Sequence, residues 1–275
     1  MKMTKDILVS IMSDDLFSRN WMSLLVVRDW RTRLVSEMNC QANPYVILAQ
    51  DSLRCDFLLV DLDTLSSNPS LLSTLNNQSG LAKKIRIIGI GSRAESRFLN
   101  RINPDLFSGY LIKDEIGNAM CWAITFASDN KNVFTPSTYN LACELDFEHA
   151  HENIILKKRI QEGITDRQKE IARMAIIYSI GRRDLVDELK ISEQLSYGMV
   201  SELYDRFGVA DLLSGEDTSQ LLLQNDPKIT KKLNSIIEDL GEGKKARDLE
   251  TLAFHLLTMP VRCGYAQLQD YLTHR

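Results

Sequence analysis

Five short apolar runs, each followed by an amphipathic or loop stretch, constrain this chain more than any other feature. They are Asp6–Met12, Thr32–Met38, Phe57–Val60, Ile85–Ile90 and Gly109–Lys113. Runs of this length, rich in branched and aliphatic residues, read as buried strands. Between the first two, Leu16, Phe17, Trp21, Leu24 and Leu25 recur at helical spacing within Leu16–Val27. Further helices are expected over 46–53, within "SNPSLLSTLNNQSG", over 94–101 and over 115–127. Strand and helix alternating in this way predict a doubly wound parallel sheet, whose ligand edge lies at the carboxyl ends of its strands.

A length of 275 residues allows about two domains with cores of their own. The 44% hydrophobic and 25% charged residues are ordinary for a globular protein. A formal net charge of −4 means that any nucleic-acid contact has to come from a local basic patch. Cys40, Cys55, Cys121, Cys143 and Cys263 are scattered and form no Cys-x-x-Cys pair. That pattern predicts free thiols in a reducing cytoplasm. The apolar run at the N-terminus is too short for a signal peptide, and no stretch is long enough to cross a membrane.

The organisation expected is an α/β domain over 1–128, then a linker and connecting helix over 129–162. "ASDNKNVFTPSTYN" (127–140) is the composition break, and the charged stretch 141–163 reads as the connecting helix. Three short helices follow over 163–210, with Thr165 as an N-cap and Ile171, Met174 and Ala175 on one face. A helical extension over 211–275 completes the chain, with helices expected around Leu221 and over 228–240, 245–258 and 262–273. In the third, Leu249, Leu252, Ala253, Leu256 and Leu257 recur at core spacing. His255 reads as a half-buried structural histidine, because no second His or Cys stands at metal spacing.

The first domain resembles the receiver domain of NarL-type response regulators, a flavodoxin-like fold. "DFLLVDL" (56–62) is similar to the third strand of that family, and "GYLIKD" (109–114) to its fifth. The resemblance implies Asp61 as the phospho-acceptor, Lys113 as the cation facing the phosphoryl group and Tyr110 as an aromatic switch. It also implies magnesium held by Asp14, Asp15 and Asp61, since a carboxylate nucleophile needs a hard cation held by oxygens. The sequence departs from the family pattern at three places. Aligning on Phe17 puts Met12 and Ser13, not Asp14 and Asp15, at the acidic positions. Gly91 stands where a hydroxyl is expected unless Ser92 supplies it, and Leu65 replaces a proline.

The segment "ISEQ…VSELYDRFGV" (191–209) resembles the reading end of the LuxR-type helix-turn-helix. In that reading 181–189 is the scaffold helix, Lys190 lies in the turn, and Ser192 starts the recognition helix. Gln194, Tyr197 and Ser201 then face the groove, with Arg182 and Arg183 on phosphate. Residues 164–209 carry 7 basic and 8 acidic side chains, and one residue is inserted before Gly181. The resemblance implies a DNA-binding transcriptional regulator, a homodimer with a cognate histidine kinase as partner and no enzymatic activity. An alternative stays open: an adaptor whose two modules have lost phosphate and DNA chemistry.

Overall fold

The structure, a computed structural model, describes residues 6–41, 55–67, 70–77, 85–147, 151–161, 163–209, 211, 230–231, 234 and 246–263. The helices expected over 46–53, around Leu221 and over 228–240 lie wholly or mostly outside those residues, as does 264–273. The chain divides into two compact units, one of Asp6–Val27, Thr32–Arg159 and Pro260–Arg275, the other of Met1–Lys5, Arg28–Arg31 and Ile160–Met259.

The first unit is an α/β layer structure. Its elements begin with β1 (Ile7–Met12), α1 (Leu16–Arg28, whose last residue falls in the other unit), β2 (Thr32–Met38) and β3 (Phe57–Asp61). A 3-10 turn, Leu62–Ser67, leads to α2 (Leu71–Asn76), β4 (Arg86–Gly91), α3 (Ser96–Leu99) and β5 (Phe107–Ile112). Then come α4 (Lys113–Ile116), α5 (Met120–Ser128), β6 (Lys131–Phe134), α6 (Pro136–Glu144) and β7 (Glu152–Lys157). Among the described residues the sheet has eight strands in the order β2-β1-β3-β4-β5-β6-β7-β8, where β8 is Val261–Arg262. Every neighbouring pair is parallel except β7 with β8. The chain winds from β1 out to β2 and then back across to β3. That reversal opens a crevice at the carboxyl ends of β1 and β3, the usual ligand position in such sheets. The fold is receiver-like, and every residue of β3 and β5 is buried, as parallel strands covered on both faces require.

The linker and connecting helix expected over 129–162 are replaced by β6, α6 and β7. Residues 132–136 of the supposed linker are core residues: Val133 and Phe134 are fully buried, and Phe134 packs against Phe107 at 5.4 Å and Tyr139 at 5.7 Å. Its buried threonines are hydrogen-bonded. Thr135 Oγ1 accepts from Ile112 N at 3.1 Å, and Thr138 Oγ1 donates to Tyr110 O at 2.6 Å. Gly109 makes the added strand possible, since a Cβ there would stand 2.4 Å from Val133 Cγ2 and 2.7 Å from Val133 O. The charged stretch 141–163 holds the apolar triplet Ile154–Leu156, which pairs beside β6 instead of continuing a helix.

The second unit contains α7 (Asp166–Ala172), a π-helical turn over Arg173–Ile177, α8 (Arg182–Leu189), α9 (Glu193–Arg206) and α10 (Ala246–Thr258). Thr165 caps α7, accepting from Gln168 N. The residue inserted before Gly181 is taken up by the widened turn: Tyr178 N donates to Arg173 O, five residues back, at 2.9 Å. Ser179 then turns the chain in the left-handed region at φ 55°. Leu185, Leu189, Val200, Leu203 and Phe207 form the buried seam of α8 and α9. Within the same unit Asp29 and Arg31 are almost wholly buried and joined by paired bonds of 3.0 and 2.8 Å. His255 is fully buried, not half-buried as expected. Its Nδ1 is 3.5 Å from Asp29 Oδ2 and its ring 4.9 Å from that of Trp30.

Candidate functional site: the aspartate–lysine pocket and the helix-turn-helix face

β3 delivers Asp61 to the carboxyl edge of the sheet with no exposed surface, and β5 delivers Lys113 to the same edge one residue after it ends. The three donors of the Lys113 ammonium are all used. Nζ lies 2.9 Å from Asp61 Oδ1, 2.8 Å from Asp63 Oδ2 and 2.9 Å from Ser18 Oγ. The other oxygen of Asp61 accepts from Ser13 Oγ at 2.8 Å. Burial would lower the Lys113 pKa, but hydrogen bonds to Asp63 and Asp61 outweigh it and hold the ammonium above its usual value. Asp63 is likewise below its usual value: burial pushes it up, and the bonds from Lys113 and Ser92 more than offset that.

The carboxylates of Asp14 and Asp15 are engaged by backbone amides at the pocket's edge. Asp14 Oδ1 accepts from Cys40 N at 2.7 Å. Asp15 holds the first turn of α1, accepting from Ser18 N at 2.8 Å and Phe17 N at 3.3 Å. Hydrogen bonds from Ser18 lower its pKa. The residue just past the end of β1 that reaches Asp61 is Ser13, through its hydroxyl. Magnesium does not fit this set. Among the described residues no three His, Cys, Asp or Glu side chains gather as metal ligands, and an ammonium bridges the two carboxylates that are adjacent.

Ser92 engages Asp63, not Asp61. Its amide donates to Asp63 Oδ1 at 2.8 Å and its hydroxyl to Oδ2 at 2.6 Å. Tyr110 is fully buried with its hydroxyl fixed, donating to Arg93 O at 3.1 Å and accepting from Glu95 N at 2.8 Å. Burial pushes its pKa up to about 12. A cavity of about 20 Å³, enough for one water, lies between Asp63, Arg93, Glu95 and Tyr110. Sequence reading missed Ser18 and Asp63, and it placed Ser13 at an acidic position under one alignment without giving it a role. The one mark Asp63 carries in the sequence is its place two residues after Asp61, just past the strand end; its partners come from residues distant in the chain.

On the helical unit, Ser192 caps α9 by accepting from Leu195 N at 3.2 Å, and Lys190 takes the left-handed turn at φ 52°. Gln194, Ser201 and Arg183 are exposed, as are Tyr197 at 54% and the apolar Leu195 at 51%. The side chain of Arg182 lies outside the described residues. α9 carries Glu193, Glu202 and Asp205 against Arg206, and Arg206 is itself tied to Glu202 at 2.9 Å.

Fold and site together define a receiver-like α/β domain with a buried aspartate paired to a half-buried lysine, joined in one chain to a helical unit containing a helix-turn-helix. No protein-family profile and no curated protein matches the chain. Solved structures similar to it include the RcsB response regulator of Salmonella typhimurium, 13% identical over 74% of this chain and 93% of that one, with a TM-score of 0.41. The response regulator ChrA of a heme-sensing two-component system is 16% identical over 74% of this chain and 90% of that one, with a TM-score of 0.39. A complex of the two-component response regulator RcsB with DNA is 12% identical over 91% of this chain and 99% of that one, with a TM-score of 0.41. Among the described residues no helix is long and apolar enough to cross a membrane.

Proposed function

We propose that this chain is a transcriptional regulator of the response-regulator type. It binds DNA as a dimer through its helix-turn-helix, and its receiver-like domain works without phosphoryl transfer to Asp61. The observation that carries the reading is the α8–turn–α9 pair: a Ser192-capped helix that turns Gln194, Tyr197 and Ser201 to solvent, with Arg183 and Lys190 on the preceding helix and turn. An exposed amide near the start of such a helix can pair with an adenine edge, while arginines on the preceding helix hold phosphate. One such helix reads only a few base pairs, so useful affinity calls for two copies on a two-fold site. In support of a receiver free of phosphorylation, a serine hydroxyl, that of Ser13, bonds Asp61, and the carboxylates of Asp14 and Asp15 accept from backbone amides.

The test is a binding series on genomic fragments across salt. Wild type should select some fragments over random DNA. Replacing Arg182 and Arg183 with Ala should weaken binding to all sequences and flatten the salt dependence by about 0.9 in log–log slope per lost phosphate contact. A small phosphodonor with magnesium should leave wild type unlabelled. Label that disappears in Asp61→Asn would instead restore the phosphorylated reading. An adaptor is the second reading, favoured by the three acids on α9 and by exposed Leu195. It wins if no fragment binds better than random DNA at low salt.

A further inference from the structure

The backbone amide of Ser92, its hydroxyl and the Lys113 ammonium converge at the carboxyl edge of β4 and β5. Three donors, one of them cationic, aimed at one point make an oxyanion cradle. The cradle holds an anion already: the carboxylate of Asp63, at 2.8, 2.6 and 2.8 Å from the three donors. Two further features make this a built arrangement. Leu62–Ser67 is a 3-10 turn, so the chain folds back immediately after β3 and carries Asp63 across to β4. Gly91 leaves room, since a Cβ there would lie 3.6 Å from Asp63 Oδ1 and 3.3 Å from Arg93 O.

We propose that Asp63 is a tethered ligand that fills a site for small tetrahedral oxyanions, phosphate or sulfate, and so keeps the receiver-like domain in its anion-bound arrangement without an external ligand. A tethered carboxylate competes at a high effective concentration, so free anions are excluded while it is in place. The Asp63 side chain is 34% exposed and that of Lys113 21%, so an external anion can reach the cradle once the carboxylate is removed. Binding involves no bond making and no proton balance beyond the exchange of one anion for another. The inference stands on the pocket geometry and holds whatever the helix-turn-helix binds. It is compatible with an unphosphorylated Asp61 but is read out at Ser92, so the two can fail separately.

The experiment is a titration of the full chain with inorganic phosphate and, separately, sulfate, followed by the amide resonance of Ser92. Wild type should show no saturable shift. Asp63→Ala should bind either anion at least about tenfold more tightly than wild type, as expected for losing a charge-assisted competitor. Adding Lys113→Met to Asp63→Ala should abolish that binding. Asp63→Ser, which keeps a hydrogen-bonding group in the turn, carries the same expectation and serves if the alanine variant does not fold. Equal binding by wild type and Asp63→Ala overturns the proposal. So does a folded Asp63→Ala or Asp63→Ser variant that binds neither anion, or binding that survives the loss of Lys113.

Discussion

Lys113→Met isolates what the buried pair contributes. In wild type the ammonium stands between two carboxylates, Asp61 with no exposed surface and Asp63 partly open to water. Methionine keeps most of the volume and removes the charge. Asp61 then retains Ser13 Oγ at 2.8 Å and the Asp63 amide at 3.2 Å, and it faces Asp63 with no cation between them. Orphaning one partner of a buried pair costs about 3–5 kcal/mol, and solvent access to Lys113 and Asp63 screens part of it, so a loss of about 2–4 kcal/mol is expected. Hydrogen exchange of the β3 and β5 amides under increasing urea reports this for the α/β unit alone. Adding Asp61→Asn and Asp63→Asn to Lys113→Met should recover at least half of the loss, because the uncompensated charges are gone. A loss below about 1 kcal/mol, the range of an exposed ion pair, would refute the argument that this charge is held out of water.

Gly109→Ala should destabilise by about 1–3 kcal/mol or more, since its Cβ meets Val133 at 2.4 Å, and the amides of β6 should lose exchange protection first. Arg31→Met should cost the helical unit about 3–5 kcal/mol at neutral pH by leaving Asp29 buried without its main partner. The pH dependence has a definite sign. Burial would raise the Asp29 pKa, yet Arg31 and His255 hold it at about 2, below the ordinary 3.8. Its stabilising contribution is therefore complete above its ordinary pKa and is lost as pH falls toward about 2; thermal unfolding across that window should show the loss in wild type and not in Asp29→Asn. Gln194→Ala should relax sequence preference on DNA by about 1–3 kcal/mol while leaving the salt slope unchanged, measured by competition between selected and random fragments.

Sequence alone determined the parts of this protein that depend on neighbours in the chain. Strand runs such as "FLLVD" and the helix with its Ser192 cap are local, because burial of a whole strand and satisfaction of a helix terminus are written in consecutive residues. Asp61 and Lys113 were legible only through the resemblance of "DFLLVDL" and "GYLIKD" to receiver strands; the runs themselves say no more than that each residue lies at or just past a strand end. Tertiary structure decided what depends on partners distant in sequence. Lys131–Phe134 looks like a polar linker until Gly109 gives it a strand to pair with, and Thr135 and Thr138 are buried there because polar partners reach them. Asp14 and Asp15 resembled metal ligands by order in the chain, but the backbone amides of Cys40 and Ser18 claimed their carboxylates. Asp63 took on meaning only when Ser92 and Lys113, 29 and 50 residues away, closed around it. A carboxylate's role is set by which donors reach it, and in a parallel sheet those donors come from strands that only the fold makes adjacent.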